Sequence, residues 1–173
     1  NIIRKYKAFG GIVLSASHNP GGPDEDFGIK YNAENGGPAA EKYTSAFFLR
    51  SQVIDNYKIA VMDDVDINKL GDQQYEGLCI RIIDPVSDYA ELMQSLFDFD
   101  LLKQNISNGN ITLLFDAMHA ITGPYAKRIL VEMLGASPDS VINAEPLEDF
   151  GGHHPDPNLA HAHELAETMF SDS

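Results

Sequence analysis

Near the start of this 173-residue chain, residues 11–23 read GIVLSASHNPGGP. An apolar run ends in Ser15, Ser17, His18 and Asn19, and the chain then turns through two prolines and two glycines. A serine hydroxyl attacks or carries a group only when a neighbour takes its proton or a metal polarises it, and His18 is the adjacent candidate. A serine at a strand end also stands where open α/β sheets place ligands. The same residues have a purely structural use, because Ser17 and Asn19 side chains can hold a turn through backbone hydrogen bonds. The residues alone leave both readings open. An α/β-hydrolase nucleophile is not expected, since SASHN lacks the G-x-S-x-G elbow.

Other side chains could join such a site. Lys30, in FGIKYN, is either a solvent-side residue of an alternating strand or a positive group aimed at an anion near Ser17. Asp24, Glu25 and Asp26, in GGPDEDFG, do not follow the alternate spacing of a calcium loop and read as a solvated turn. His153 and His154, in GGHHPDP, and His161 and His163, in HAHE, lack the H-x-x-x-H spacing that puts two imidazoles on one helical face. A structural metal through them is not expected. The loop 148–158 still stands out, because long polar loops rich in Gly and Pro tend to be functional.

The elements that must position these residues follow from periodicity and punctuation. Residues 10–17 read as a short buried strand and 27–32 as a second strand. Tyr43, Phe47, Ile54 and Tyr57 give an apolar stripe predicting a helix over 39–57. Residues 62–74 read as polar linker and 78–84 as a strand. A helix begins at Pro85 and runs through 104, with Leu92, Met93, Leu96 and Phe97 on its apolar face. Residues 111–119 read as a buried strand. A helix follows over 123–135, with Pro124 at its start and Gly135 as its cap. A strand at 140–147 and a helix at 159–171 complete the series. Alternating strands and helices imply an α/β architecture of helices covering sheets. The domain boundary is placed near 85–91, giving units 1–88 and 89–173.

Composition narrows the function classes. An apolar fraction of 43% is sufficient for a core, and no apolar run reaches membrane-spanning length. The formal net charge of −14 argues against non-specific nucleic-acid binding and requires an anion site to gather its positive groups locally. The single cysteine, Cys79, offers no disulfide framework and fits a reducing, cytoplasmic setting. No coiled coil or apolar interface stripe is evident, so the oligomeric state stays open and a monomer is compatible. The chain starts inside a strand and stops after a helix, which suggests a piece of a longer protein.

Three stretches together carry a resemblance. GGIVLSASHNPGGPDEDFGIKYNAENGGPA resembles the phosphoserine loop of eukaryotic-type phosphoglucomutases, in the α-D-phosphohexomutase superfamily. FDAMHAITGPYAKRIL and PLEDFGGHHPDPNL resemble second-domain segments of the same family, and the similarity runs in order through essentially the whole chain. The resemblance implies three-layer sheet-and-helix domains, of which residues 1–88 would be the later part of the first and 89–173 most of the second. It implies an isomerase that interconverts glucose 1-phosphate and glucose 6-phosphate through glucose 1,6-bisphosphate. Ser17 would carry the phosphate, His18 and Lys30 would be candidates for proton transfer, and Ser15 and Asn19 would shape the phosphate loop. Mg²⁺ would bind Ser17 through its phosphate, with its remaining ligands outside this chain, in a D-G-D-G-D-R loop expected after Ser173. One departure is Ser15, where the family usually has threonine; the hydroxyl is kept. Two alternatives are a non-enzymatic phosphoprotein or scaffold of the parafusin kind and a phosphomannomutase-type enzyme.

Overall fold

The computed structural model describes residues 1–171; Asp172 and Ser173, the last two residues of the second expected domain, lie outside the described residues. The chain divides into two compact units, Asn1–Ile12 with Tyr31–Pro85, and Val13–Lys30 with Val86–Ser173. Strands β1 (Gly10–Leu14) and β2 (Ile29–Ala33) form a two-stranded sheet, and each strand passes from one unit into the other.

In the first unit, α1 (Ile2–Lys5) precedes β1. Gly10 has no Cβ because the Tyr31 ring occupies that space, and Tyr31 in turn meets Phe47 edge to face at 5.4 Å. Phe47 lies on α2 (Glu41–Ser51). This helix is shorter than its apolar stripe predicts. Ile54 and Tyr57 lie beyond its end and are exposed, so no packing offsets the entropy of further helical turns. The expected linker 62–74 contains most of a strand. Here β3 (Gly71–Tyr75) pairs antiparallel with β4 (Leu78–Ile82) across the two-residue turn Glu76-Gly77, with Gly77 at φ +75°. Asp72 faces Arg81 in this register, and the guanidinium grips the carboxylate with two hydrogen bonds of 2.5 and 2.8 Å. The polar composition of the strand hides it from apolar patterning, while cross-strand pairing of this kind stabilises it.

In the second unit, the expected single helix from Pro85 is two. Helix α3 (Pro85–Leu96) stops, and α4 (Phe99–Ser107) restarts where the Asp98 side chain accepts the Leu101 N–H at 2.9 Å. Two short parallel strands, β5 (Phe115–Asp116) and β6 (Val141–Ile142), replace the longer strands expected at 111–119 and 140–147. Between them lies the helical crossover that a parallel pair requires. It begins as α5 (Thr122–Ala126) and widens into a π-helical turn over Lys127–Met133, with the Leu134 N–H reaching the Ile129 carbonyl. Gly135, at φ +78°, then ends it as expected. Ala126, Val141 and Ala144 form the buried centre, with Phe115, Leu130 and Val131 against it. Gly123 lies directly on the Ala144 backbone, which fixes the crossover against the exit of β6. The last helix, α6 (His163–Ser171), is shorter than the expected 159–171.

Candidate active site

The Ser17 turn is built by its neighbours. Beyond β1, the Ser15 N–H donates to the Gly28 carbonyl at 3.0 Å. Gly28 must be glycine for this approach, since a Cβ there would lie 2.5 Å from the Ser15 carbonyl oxygen. The Ser17 N–H donates to Ser15 Oγ at 2.9 Å, and the Asn19 N–H donates to the Ala16 carbonyl at 3.2 Å. Asn19 Nδ2 also donates to Asp26 Oδ2 at 2.5 Å, pinning the turn to the acidic segment. Asp26 is thus tied into the loop, whereas the whole GGPDEDFG stretch reads from sequence as a solvated turn.

The structural and chemical readings therefore fall on different residues. Ser15 and Asn19 hold the turn. Ser17 is exposed, and its hydroxyl has one partner among the described residues, His18 Nδ1 at 3.3 Å. Ser17 sits at φ +64°, an unusual conformation for a residue with a Cβ. Lys30 is exposed on β2. Among the described residues no hydrogen bond or ion pair engages it.

A second set of residues, not picked out from sequence, gathers at the exits of β5 and β6. At the exit of β5, Asp116 Oδ1 accepts the Met118 N–H at 2.8 Å and Asn143 Nδ2, from the exit of β6, at 3.0 Å. His119 adds three bonds. Its N–H donates to the Asn143 carbonyl, its carbonyl accepts the Leu147 N–H, and its Nδ1 donates to the Glu145 carbonyl, each at 2.9 Å. These groups, with His153, His161 and Glu164, line a polar cavity of about 210 Å³. His161 also stacks on His154 at 4.6 Å, while His163 pairs with Glu167 at 3.3 Å.

Gly21 links the two sets. A Cβ at Gly21 would lie 2.5 Å from the Glu148 carbonyl oxygen and 3.0 Å from the Phe150 ring. The serine loop thus rests on the 148–152 turn that the sequence marks as unusual. Met118, His119, Asn143 and Phe150 share with Ser17 a positive φ, from 49° to 64°. Such strain gathers where a structure over-determines its loops, often at functional sites. Met118, His119 and Asn143 lie just beyond the carboxyl ends of the parallel strands β5 and β6, the edge at which α/β sheets bind ligands. The signal for Asp116 and His119 was the polar end of FDAMH; the backbone strain has no counterpart in residue type.

Comparison with known proteins bears on this arrangement. A family model described as phosphoglucomutase/phosphomannomutase, alpha/beta/alpha domain I, matches residues 1–57. A phosphoglucomutase of Rhizobium radiobacter is 60% identical over 171 residues, covering 99% of this chain and 31% of that protein. A chloroplastic phosphoglucomutase of Arabidopsis thaliana is 49% identical, covering 99% of this chain and 28% of that protein. Among solved structures, the open form of the exocytosis-sensitive phosphoprotein pp63/parafusin, a phosphoglucomutase from Paramecium, superposes with a TM-score of 0.89 at 42% identity. That match covers 96% of this chain and 32% of the other. The chain thus spans about a third of the length of the relatives it matches.

Proposed function

We propose that the chain, which is similar to phosphoglucomutases over about a third of their length, carries the phosphoserine segment of an enzyme of that family interconverting glucose 1-phosphate and glucose 6-phosphate. The observation that carries the reading is the exposed Ser17 hydroxyl, presented at a strand exit with His18 Nδ1 beside it, in a chain of 60% identity to a phosphoglucomutase. Residues 1–88 would be the C-terminal part of a first α/β domain and 89–173 most of a second. Absence of a helix long and apolar enough to cross a membrane among the described residues is compatible with the cytoplasmic setting we propose, although one relative is chloroplastic.

In the proposed cycle, phosphorylated Ser17 gives its phosphoryl group to a free sugar hydroxyl. The bond from phosphorus to Ser17 Oγ breaks as the bond to the sugar oxygen forms, and the sugar's proton passes to a base. Glucose 1,6-bisphosphate is the product of this half-reaction. After it turns over in the site, its other phosphoryl group returns to Ser17. Such transfers need positioning and charge neutralisation more than covalent assistance. His18 lies within reach of Ser17 Oγ and suits proton delivery to that oxygen. Lys30 supplies a positive group on the neighbouring strand, and either residue is proposed as the base. Ser15 and Asn19 hold the loop that presents the phosphate.

A seryl phosphate offers the hard oxygen that Mg²⁺ prefers, and the ion would neutralise charge on the transferring group. The described residues contain no cluster of three metal-binding side chains. Ser17, through its phosphate, is thus the ligand we propose from this chain, with the others outside it.

The test is phosphate stoichiometry with turnover. Incubation of the full-length protein with glucose 1,6-bisphosphate should add one phosphate, mapped by mass spectrometry to Ser17, and Ser17→Ala should fold yet neither accept it nor turn over glucose 1-phosphate. Turnover retained in Ser17→Ala would remove Ser17 from the mechanism. The likeness to parafusin, described as a phosphoprotein, favours a second reading. Phosphate on Ser17 without turnover would support that binding role instead.

A further inference from the structure

The serine loop must be held still for an in-line transfer, and the bonds within 15–28 do not alone explain what holds it. Gly21, four residues beyond Ser17, lies against the Glu148 carbonyl and the edge of the Phe150 ring so closely that a methyl group could not enter. Phe150 itself sits at φ +54°, a conformation that is costly for a bulky residue. Its surroundings keep it there. The Phe150 N–H donates to the Leu147 carbonyl at 3.1 Å, and the Gly151 and Gly152 N–H groups donate to the Asp149 side chain and carbonyl, both at 3.0 Å.

His119 fastens this turn to the strand ends. Its backbone receives the Leu147 N–H, and its ring bonds the Glu145 carbonyl, so Nδ1 carries the hydrogen. The ring edge also packs on Gly151, where a Cβ would lie 3.0 Å from His119 Cδ2. Contacts run without a gap from His119 to the 147–152 turn, from Phe150 to Gly21, and from there along the loop to Ser17.

We infer that Phe150 and the Glu148 carbonyl form the seat of the serine loop, and that His119 is the positioning residue that holds this seat; the inference rests on the phosphoserine reading of Ser17. In this inference His119 is assigned no contact with substrate or with the reacting oxygen. It acts by fixing where Ser17 Oγ stands, and a displacement of about 1 Å at a reacting atom can lower a rate by about a hundredfold.

Three variants test this. Phe150→Ala removes the ring. His119→Gly keeps the left-handed backbone but removes the Nδ1 donor. His119→Asn restores a donor at nearly the same place in a residue that also tolerates this backbone. Hydrogen exchange on this chain should show amides of 15–28 opening at least about tenfold faster in Phe150→Ala and His119→Gly, with the β3–β4 hairpin unchanged and protection largely regained in His119→Asn. In the full-length protein the same two variants should lower kcat by about ten- to a hundredfold with KM within about twofold, and His119→Asn should recover most of the loss. Unchanged exchange over 15–28 in both Phe150→Ala and His119→Gly would overturn the seat, whatever the activity. Should Phe150→Ala not fold, Gly21→Ala probes the same contact from the other side. Faster exchange in a protein whose wild type takes no phosphate on Ser17 would leave the seat standing and sink the phosphoserine reading. Normal phosphorylation with unchanged exchange would do the reverse.

Discussion

His18 and Lys30 are both proposed as the base, and kinetics can separate them. If His18 is the base, His18→Gln should lower kcat in the full-length protein by about 10² to 10⁴. If Lys30 is the base, Lys30→Met should have that effect instead; if it only steadies an anion, it should raise KM with kcat little changed. Glycine substitutions give a second prediction. Gly28→Ala would drive a Cβ into the Ser15 carbonyl and should destabilise the second unit by about 1–3 kcal/mol, read from urea unfolding. The candidate residues themselves were legible in the sequence. Ser17, His18, Asn19 and Lys30 stand out by type and spacing. The division of labour was not, because Ser15 rather than Ser17 takes up the turn-holding bond, and that depends on a backbone twist that serine does not advertise.

Each helix and strand tests a local rule. Asp98→Ala removes the cap of α4 and should cost about 1 kcal/mol, measured by thermal or urea unfolding of the chain. The β3–β4 hairpin should respond to acid. The hydrogen bonds from Arg81 hold the Asp72 carboxyl below its usual range. A lowered folded value means that the stabilisation is present above the unfolded carboxyl's pKa of about 4 and is lost as pH falls through the folded value. Both side chains are largely exposed, so the effect should be small and screened by salt. Cross-strand NMR contacts between β3 and β4 should weaken on acidification, and Asp72→Asn should remove that pH dependence. Apolar patterning located β4, α3 and the crossover helix well. It overextended β5 and β6, because chain that is only partly buried can carry an apolar run without joining a ladder. It missed β3, whose pairing depends on Asp72 and Gln74 rather than on apolar residues. The π-helical turn over Lys127–Met133 is invisible to a 3.6-residue period, since it widens the register without changing composition.

Across the whole molecule, large apolar side chains remain at the surface. Phe9, Ile12 and Leu14 flank or form β1, with exposures of 87%, 71% and 64%, and an open apolar cavity of about 510 Å³ lies beside Tyr89, Phe115 and Tyr125. Large apolar side chains exposed in such number are an interaction surface or an aggregation liability. The chain by itself should bind a hydrophobic dye such as ANS strongly, and its turnover of glucose 1-phosphate with Mg²⁺ should be undetectable; measurable turnover would refute the proposal that further ligands are needed. The α/β class was readable from the alternation of elements. The clustering of 13–30 with 86–171 was not, because it depends on Gly21 meeting Glu148 and Phe150, residues far apart in the chain whose types carry no sign of the contact.

The twist at Ser17 also governs which reagents report cleanly on its hydroxyl. At φ +64° serine already carries the strain of a Cβ in the left-handed region, so an alanine keeps that strain while it removes the oxygen. Glycine, at home in that region, deletes the hydroxyl with the least steric disturbance, and Ser17→Asp would install a permanent negative charge in a residue type that tolerates the same geometry. The glycine and aspartate substitutions, used as a pair, would separate the chemistry of the oxygen from the shape of the loop.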